Sequence, residues 1–228
     1  MKQIPVCLIV NHKSKYFIKR YTSLRLEMEK DNIQNQLIAI GRKMVKEKGT
    51  EALTVRKLSE ASGCSVGAIY NQFSNMDNFI VIQNYMTLDE LGQRLEQIEE
   101  TANPYADMNK FLQVFVDYVK DNRNLWYMLY AFYLRRNERA YSYFYLRKVV
   151  RIIGCINKLL QRILPQMERP ERILSSQVLW LTMFALSSFL TKDVLDSFAK
   201  INQESMCQIV LNTYVAGLSV LENKKQNG

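Results

Sequence analysis

Three observations predict an all-α fold. Apolar residues recur three and four positions apart from Ile33 to Leu221, the spacing of a helix face rather than of a strand. Hydrophobic residues make up 48% of the 228, while 8 glycines and 4 prolines leave long stretches without a breaker. Several breakers stand between these stretches, at Gly49, Gly63, Asn103-Pro104, Pro165 and Pro170. A chain of this length makes one or two domains and can bury a sizeable core.

Residues 1–30 open with an apolar run, Ile4 to Val10, that is too short to span a bilayer. Its charges follow the run, at Lys13, Lys15, Lys19, Arg20 and Arg25, which is the reverse of a signal peptide. The segment reads as a loosely ordered tail, an extension upstream of a start at Met28, or a basic arm that touches DNA. The first helix is expected over Asp31 to Lys48, with Ile33, Leu37, Ile40, Met44 and Val45 as its inner stripe. Its polar face carries Arg42, Lys43 and Lys46, which suit either solvent or phosphates.

The stretch from Leu53 to Phe73 reads as two short helices and a tight turn. Thr54 is a good N-cap, and Val55, Leu58 and Ala61 share a face. Gly63 can stop that helix in the left-handed conformation. Ser65 can cap the next helix, whose apolar positions are Val66, Ile69 and Phe73. Two helices joined in this way form a helix-turn-helix, whose second member (residues 65–73) can enter a major groove. Cys64 falls in the turn and is expected to be a small buried residue there.

Several motifs hold in register through this region: Glu-Lys-Gly at 47–49, Leu-Thr-Val-Arg-Lys-Leu at 53–58 and Ala-Ser-Gly-Cys-Ser-Val-Gly-Ala-Ile-Tyr-Asn-Gln-Phe at 61–73, followed by Asp77 and Phe79. Residues 32–82 resemble the N-terminal DNA-binding domain of the TetR family of bacterial transcriptional regulators. The resemblance implies that Thr54, Arg56, Ser65, Val66, Gly67, Ala68, Tyr70, Asn71 and Gln72 face DNA. The chemistry agrees. Helix N-termini at Thr54 and Ser65 can seat phosphates, and the Tyr70 hydroxyl can donate to another. Gly67 permits close approach to base edges. Val66 and Ala68 can meet thymine methyls, and the amides of Asn71 and Gln72 can pair with adenine or phosphate. Many family members have histidine at the position of Gln72 and lysine at that of Met76, so this chain lacks one phosphate contact there.

A fourth helix is expected from Asn75 to about Glu100, as a connector that ends before Asn103-Pro104. Further helices follow over Met108–Lys120, Leu125–Arg135, Tyr141–Leu164, Glu171–Lys192 and Gln203–Leu221. The resemblance implies a C-terminal ligand-binding and dimerisation domain, with a homodimer formed through the helices at about 171–192 and 203–221. Their wide apolar surface fits that role. Candidate linings of a ligand pocket are Phe111, Phe115, Tyr118, Trp126, Tyr130, Tyr133, Trp180 and Phe184, each of which also suits plain core packing. A basic cluster, Arg123, Arg135, Arg136, Arg139, Arg147, Lys148, Arg151, Lys158 and Arg162, reads as a solvated face or an anion site. The expected organisation is an N-terminal extension at 1–30, the helix-turn-helix domain at 31–82, a helical regulatory and dimerisation domain at 83–222 and a polar tail at 223–228.

The net charge of +9 suits a polyanionic partner. Cys7, Cys64, Cys155 and Cys207 lie far apart with no metal-ligand spacing, and a reducing cytosol is the simplest setting. His12 is the only histidine, which removes Ser-His-Asp and Cys-His schemes and most zinc sites. With no phosphate-cradling glycine loop and no prominent acidic pair, neither an enzyme nor a cofactor or metal is expected. The resemblance implies a dimeric repressor of a palindromic double-stranded DNA operator, released by a small-molecule effector, and no membrane role is expected. Control by a protein partner is the alternative. An enzyme, or an interaction protein without specific DNA reading, is the rival of another class.

Overall fold

The computed structural model describes residues 32–135, 143–189 and 203–226. The expectations for the N-terminal segment, for Arg136 and Arg139 and for the end of the helix at 171–192 lie outside these residues. All regular elements among the described residues are helical: α1 (Asn32–Lys48), a 3-10 turn (Thr50–Ala52), α2 (Val55–Ser62), α3 (Val66–Phe73), α4 (Met76–Glu96), α5 (Pro104–Asp121), α6 (Arg123–Arg135), α7 (Tyr143–Ile163), α8 (Arg169–Phe189) and α9 (Gln203–Gln226).

Several boundaries move from their expected places. Asn103-Pro104 starts a helix instead of merely separating two. Asn103 Oδ1 accepts from the Tyr105 and Ala106 amides, and Pro104, which has no amide hydrogen to satisfy, occupies the first turn. Helix α4 ends at Glu96, with Gln97 as its cap, rather than at Glu100. Helix α8 starts before Pro170, again with proline in the first turn, and α9 continues five residues past Leu221.

Two apolar cores form. The N-terminal one gathers Leu37, Ile38 and Val45 of α1, Leu58 of α2, Ile69 and Phe73 of α3, and Phe79 and Ile82 of α4. Gly41 sits under the Phe79 ring, where an added Cβ would lie 2.5 Å from Cζ. Phe79 in turn meets Phe73 edge-on at 4.7 Å. The C-terminal core is built from α4 to α9, with Leu88, Leu91 and Leu95 as the wall contributed by α4. Helix α6 serves both: Leu125 and Met128 belong to the first core, Trp126 and Leu129 to the second.

Polar links tie the cores together. Arg42, which the sequence allows on a phosphate-facing surface, points inward instead. Its guanidinium meets Glu90 Oε2 at 2.5 Å and Thr87 Oγ1 at 3.1 Å. Three basic residues of α7 likewise meet acids from outside that helix. Lys148 pairs with Asp89, Arg151 with Asp89 and Glu96, and Arg162 with Asp107 at 2.6 Å.

Asp107 anchors the connector between α4 and α5. It accepts from the Thr101 hydroxyl at 2.6 Å and amide at 3.0 Å as well as from Arg162. The Thr101 hydroxyl, aided by the Arg162 guanidinium, holds this carboxyl below the usual aspartate range. A depressed carboxyl stabilises the fold above its unfolded value, about 3.9, and loses that contribution as pH falls through the folded value. Asp107→Asn is therefore expected to lower the urea midpoint at pH 7, and the gap to the wild type should narrow below about pH 4 as the native carboxyl protonates. Urea titrations at pH 7 and pH 3 check this; an equal gap at both would remove the assigned role.

Candidate nucleic-acid interface

The helix-turn-helix is set by three caps. Thr54 Oγ1 accepts from the Lys57 amide at 3.3 Å, Ser65 Oγ from the Ala68 amide at 3.2 Å and Asn75 Oδ1 from the Asn78 amide at 2.8 Å. Gly63 ends α2 at φ 72°, the left-handed conformation that glycine adopts without strain. Ser59 Oγ donates to the Cys64 carbonyl at 2.6 Å and so ties the turn to α2. Cys64 itself is half-buried, a departure from the fully buried residue expected there.

Helix α3 has two unlike sides. Ile69 and Phe73 are buried in the N-terminal core. Ser65, Val66, Gly67, Tyr70 and Asn71 are exposed, Ala68 and Gln72 are half-buried, and Tyr70 leaves 42% of its surface open. Thr54 and Arg56 are exposed at the start of α2. The nine residues named from sequence thus lie at the start of α2 and along α3. An added Cβ at Gly67 would meet only Ser65 Oγ, at 4.0 Å, so no part of the chain crowds that position. Met76 is half-buried against the N-terminal core, which explains an apolar residue there.

Residues 37–81 match the family model described as bacterial regulatory proteins, tetR family. The N-terminal domain is a TetR-family domain. No curated protein matches the chain in sequence. Solved structures share the fold over about four fifths of this chain at low identity. The TetR family transcriptional regulator PfmR from Thermus thermophilus has a TM-score of 0.57 and 17% identity, with 82% of this chain and 98% of that chain covered. A transcriptional regulator from Rhodococcus sp. Rha1 gives 0.60 and 18%, covering 81% and 96%. FadR from Bacillus subtilis, in complex with stearoyl-CoA, gives 0.62 and 17%, covering 80% and 97%.

Below the TetR-type domain, most of the aromatic residues singled out from sequence come together. Trp126 lies 5.5 Å from Phe115 and 5.5 Å from Phe184. Trp180 meets Phe115 at 6.3 Å and Phe184 at 5.8 Å, and Tyr130 meets Phe184 at 5.9 Å. The Tyr133 side chain lies outside the described residues. Two polar tips already have partners. The Tyr118 hydroxyl, its pKa pushed up by burial, donates to the Thr87 carbonyl at 2.8 Å and lies 3.1 Å from Glu90 Oε2. Trp126 Nε1 donates to Ser187 Oγ at 3.0 Å. Phe111 instead borders a groove of about 410 Å³ between the end of α4 and α7, with Leu95, Cys155, Lys158 and Leu159 among its other walls. Periodicity makes neighbours only of pairs on one helix, such as Trp180 and Phe184 four residues apart; the contacts of Trp126 with Phe115 and Phe184 join helices distant in the chain.

Two further surfaces are apolar. Helix α8 exposes Leu174, Val178 and Leu181 in one stripe, and α9 exposes Ile209, Val220 and Leu221. Among the described residues, no helix is long and apolar enough to cross a membrane.

Proposed function

We propose that this protein is a dimeric DNA-binding transcriptional regulator, a repressor of a near-palindromic operator that loses DNA affinity when a small molecule binds. The observation that carries the reading is the two-sided α3: its apolar side is buried while Ser65, Val66 and Gly67 at its capped start, and Tyr70 and Asn71 farther along, are exposed. Free first-turn amides seat a phosphate, and exposed side chains of mixed chemistry reach base edges. The dimer forms through α8 and α9, whose exposed stripes are too apolar to leave in water. Two α3 helices would then sit about 34 Å apart, in successive major grooves. An effector that favours another spacing weakens DNA binding, and DNA weakens effector binding in return. The protein works in the bacterial cytoplasm.

A specific observation favours a second reading, control by a protein partner: the aromatic rings of the C-terminal core contact one another, and two of their polar tips are satisfied within the chain. Selection of bound duplexes from a random pool at physiological salt tests DNA reading. The intact protein should enrich a palindrome, and Tyr70→Ala should not. Salt-sensitive retention with no enriched sequence, equal in both proteins, would sink operator reading.

A further inference from the structure

Asn84 is 1% exposed, and neither its Oδ1 nor its Nδ2 has a hydrogen-bond partner. It stands on α4 four, seven and eleven residues before Leu88, Leu91 and Leu95, which wall the C-terminal core, so all four share one helix face. A buried amide gains nothing from this position on its own. Both its donor and its acceptor have been taken from water, and an apolar side chain of the same size would fit the surrounding residues better. The neighbouring Gln83 leaves only its Oε1 unpaired, its Nε2 donating to the Ile38 carbonyl at 2.8 Å, and several other buried polar groups near that core are committed. Tyr118 is held by Thr87 and Glu90, Trp126 by Ser187, and Asp107 by Thr101 and Arg162. Arg172 donates to Asn157 Oδ1 and to the Met167 carbonyl. The core therefore offers an entering molecule one unsatisfied donor–acceptor pair and no uncommitted charge among its described residues.

From this we propose that Asn84 reads the effector, and that the part of the effector entering the C-terminal core is uncharged, apolar and carries one group that both donates and accepts a hydrogen bond, such as an amide. A carboxylate or an ammonium group would be buried there without a counterion, which excludes it. This rests on the effector-controlled reading above and sharpens it. Against a donor–acceptor group the Asn84 amide makes two hydrogen bonds at once, which fixes the orientation of the ligand as well as its presence.

The chain contains 2 tryptophans, Trp126 and Trp180, and both lie in this core, so intrinsic fluorescence reports on it directly. The full-length protein and Asn84→Leu are titrated with benzamide, benzoate and benzylamine up to about 10 mM, probes of similar shape and different charge. The expected result is saturable benzamide binding in the wild type, at least tenfold weaker in Asn84→Leu, with benzoate and benzylamine silent. Circular dichroism and a thermal melt verify that Asn84→Leu is folded. Equal benzamide binding by both proteins, or binding of a charged probe as tight as benzamide, would overturn the assignment while leaving effector control standing. No response to any probe would also overturn it. The DNA selection with Tyr70→Ala does not involve this core, so loss of operator reading would be seen separately.

Discussion

Trp126→Ala is expected to destabilise the protein by about 3–5 kcal/mol, the range for deleting a fully buried large aromatic side chain. The indole is fully enclosed and holds Phe115 and Phe184 at 5.5 Å each, so its removal strips contacts from two rings besides leaving a void. Total stabilities are roughly 5–15 kcal/mol, so the loss is a large share of the whole. In a chain of this size it corresponds to a fall in Tm on the order of 10 °C. Trp126→Phe separates the ring from its N–H. Ser187 Oγ still donates to the Phe184 carbonyl at 2.9 Å, so the lost hydrogen bond should cost only about 1 kcal/mol. Thermal and urea unfolding of both variants check this. Similar losses in the two would show that the hydrogen bond, not the ring packing, dominates.

Gly41→Val is expected to cost roughly 3 kcal/mol, at the upper end of what overpacking does. Its Cβ would fall 2.5 Å from Phe79 Cζ and 3.3 Å from Leu53 Cδ1, and the enclosed Phe79 ring has no free space into which to turn. Because Phe79 also supports Phe73 at the end of α3, the displaced ring disturbs the helix that carries Tyr70 and Asn71. Retention of a selected duplex should fall together with the urea midpoint. Combining Gly41→Val with Phe79→Val makes room for the added methyl groups, so the double variant should be less destabilised than the sum of the two single changes. Strict additivity would mean that the clash is relieved elsewhere.

The local grammar of the chain is readable from its residues. Thr54, Ser65 and Asn75 cap where their hydroxyl or amide chemistry says they should, and Gly63 turns where only glycine turns cheaply. The inward face of α3 follows from the spacing of Ile69 and Phe73. The start of α5 is misplaced by sequence because Asn103-Pro104 serves equally as a break and as a capped start, and only the backbone after it decides. Contacts between distant helices are not legible. Arg42 and Glu90 are 48 residues apart, and Lys148 and Asp89 are 59 apart, so no periodicity links them. The same blindness makes the basic residues of α7 look unaccompanied, since the acids that meet them lie on α4 and α5. The unpaired amide of Asn84 is hidden for the opposite reason: from its spacing it looks like one polar interruption in an apolar stripe.

Helix α6 sets the size of the smallest autonomous unit. Every side chain named for DNA contact lies before residue 73, and a fragment ending with α4 would keep them all. It would lose Leu125 and Met128, which are enclosed in the N-terminal core, and the Asn124 amide that donates to the Lys46 carbonyl at 3.0 Å. The cut would bare apolar surface on α1 and α4 and open the N-terminal core, to which Ile69 and Phe73 of α3 also belong. A fragment cut at that apparent boundary is expected to unfold at lower urea than the intact chain, because the core that buries the inner side of α3 extends to residue 128.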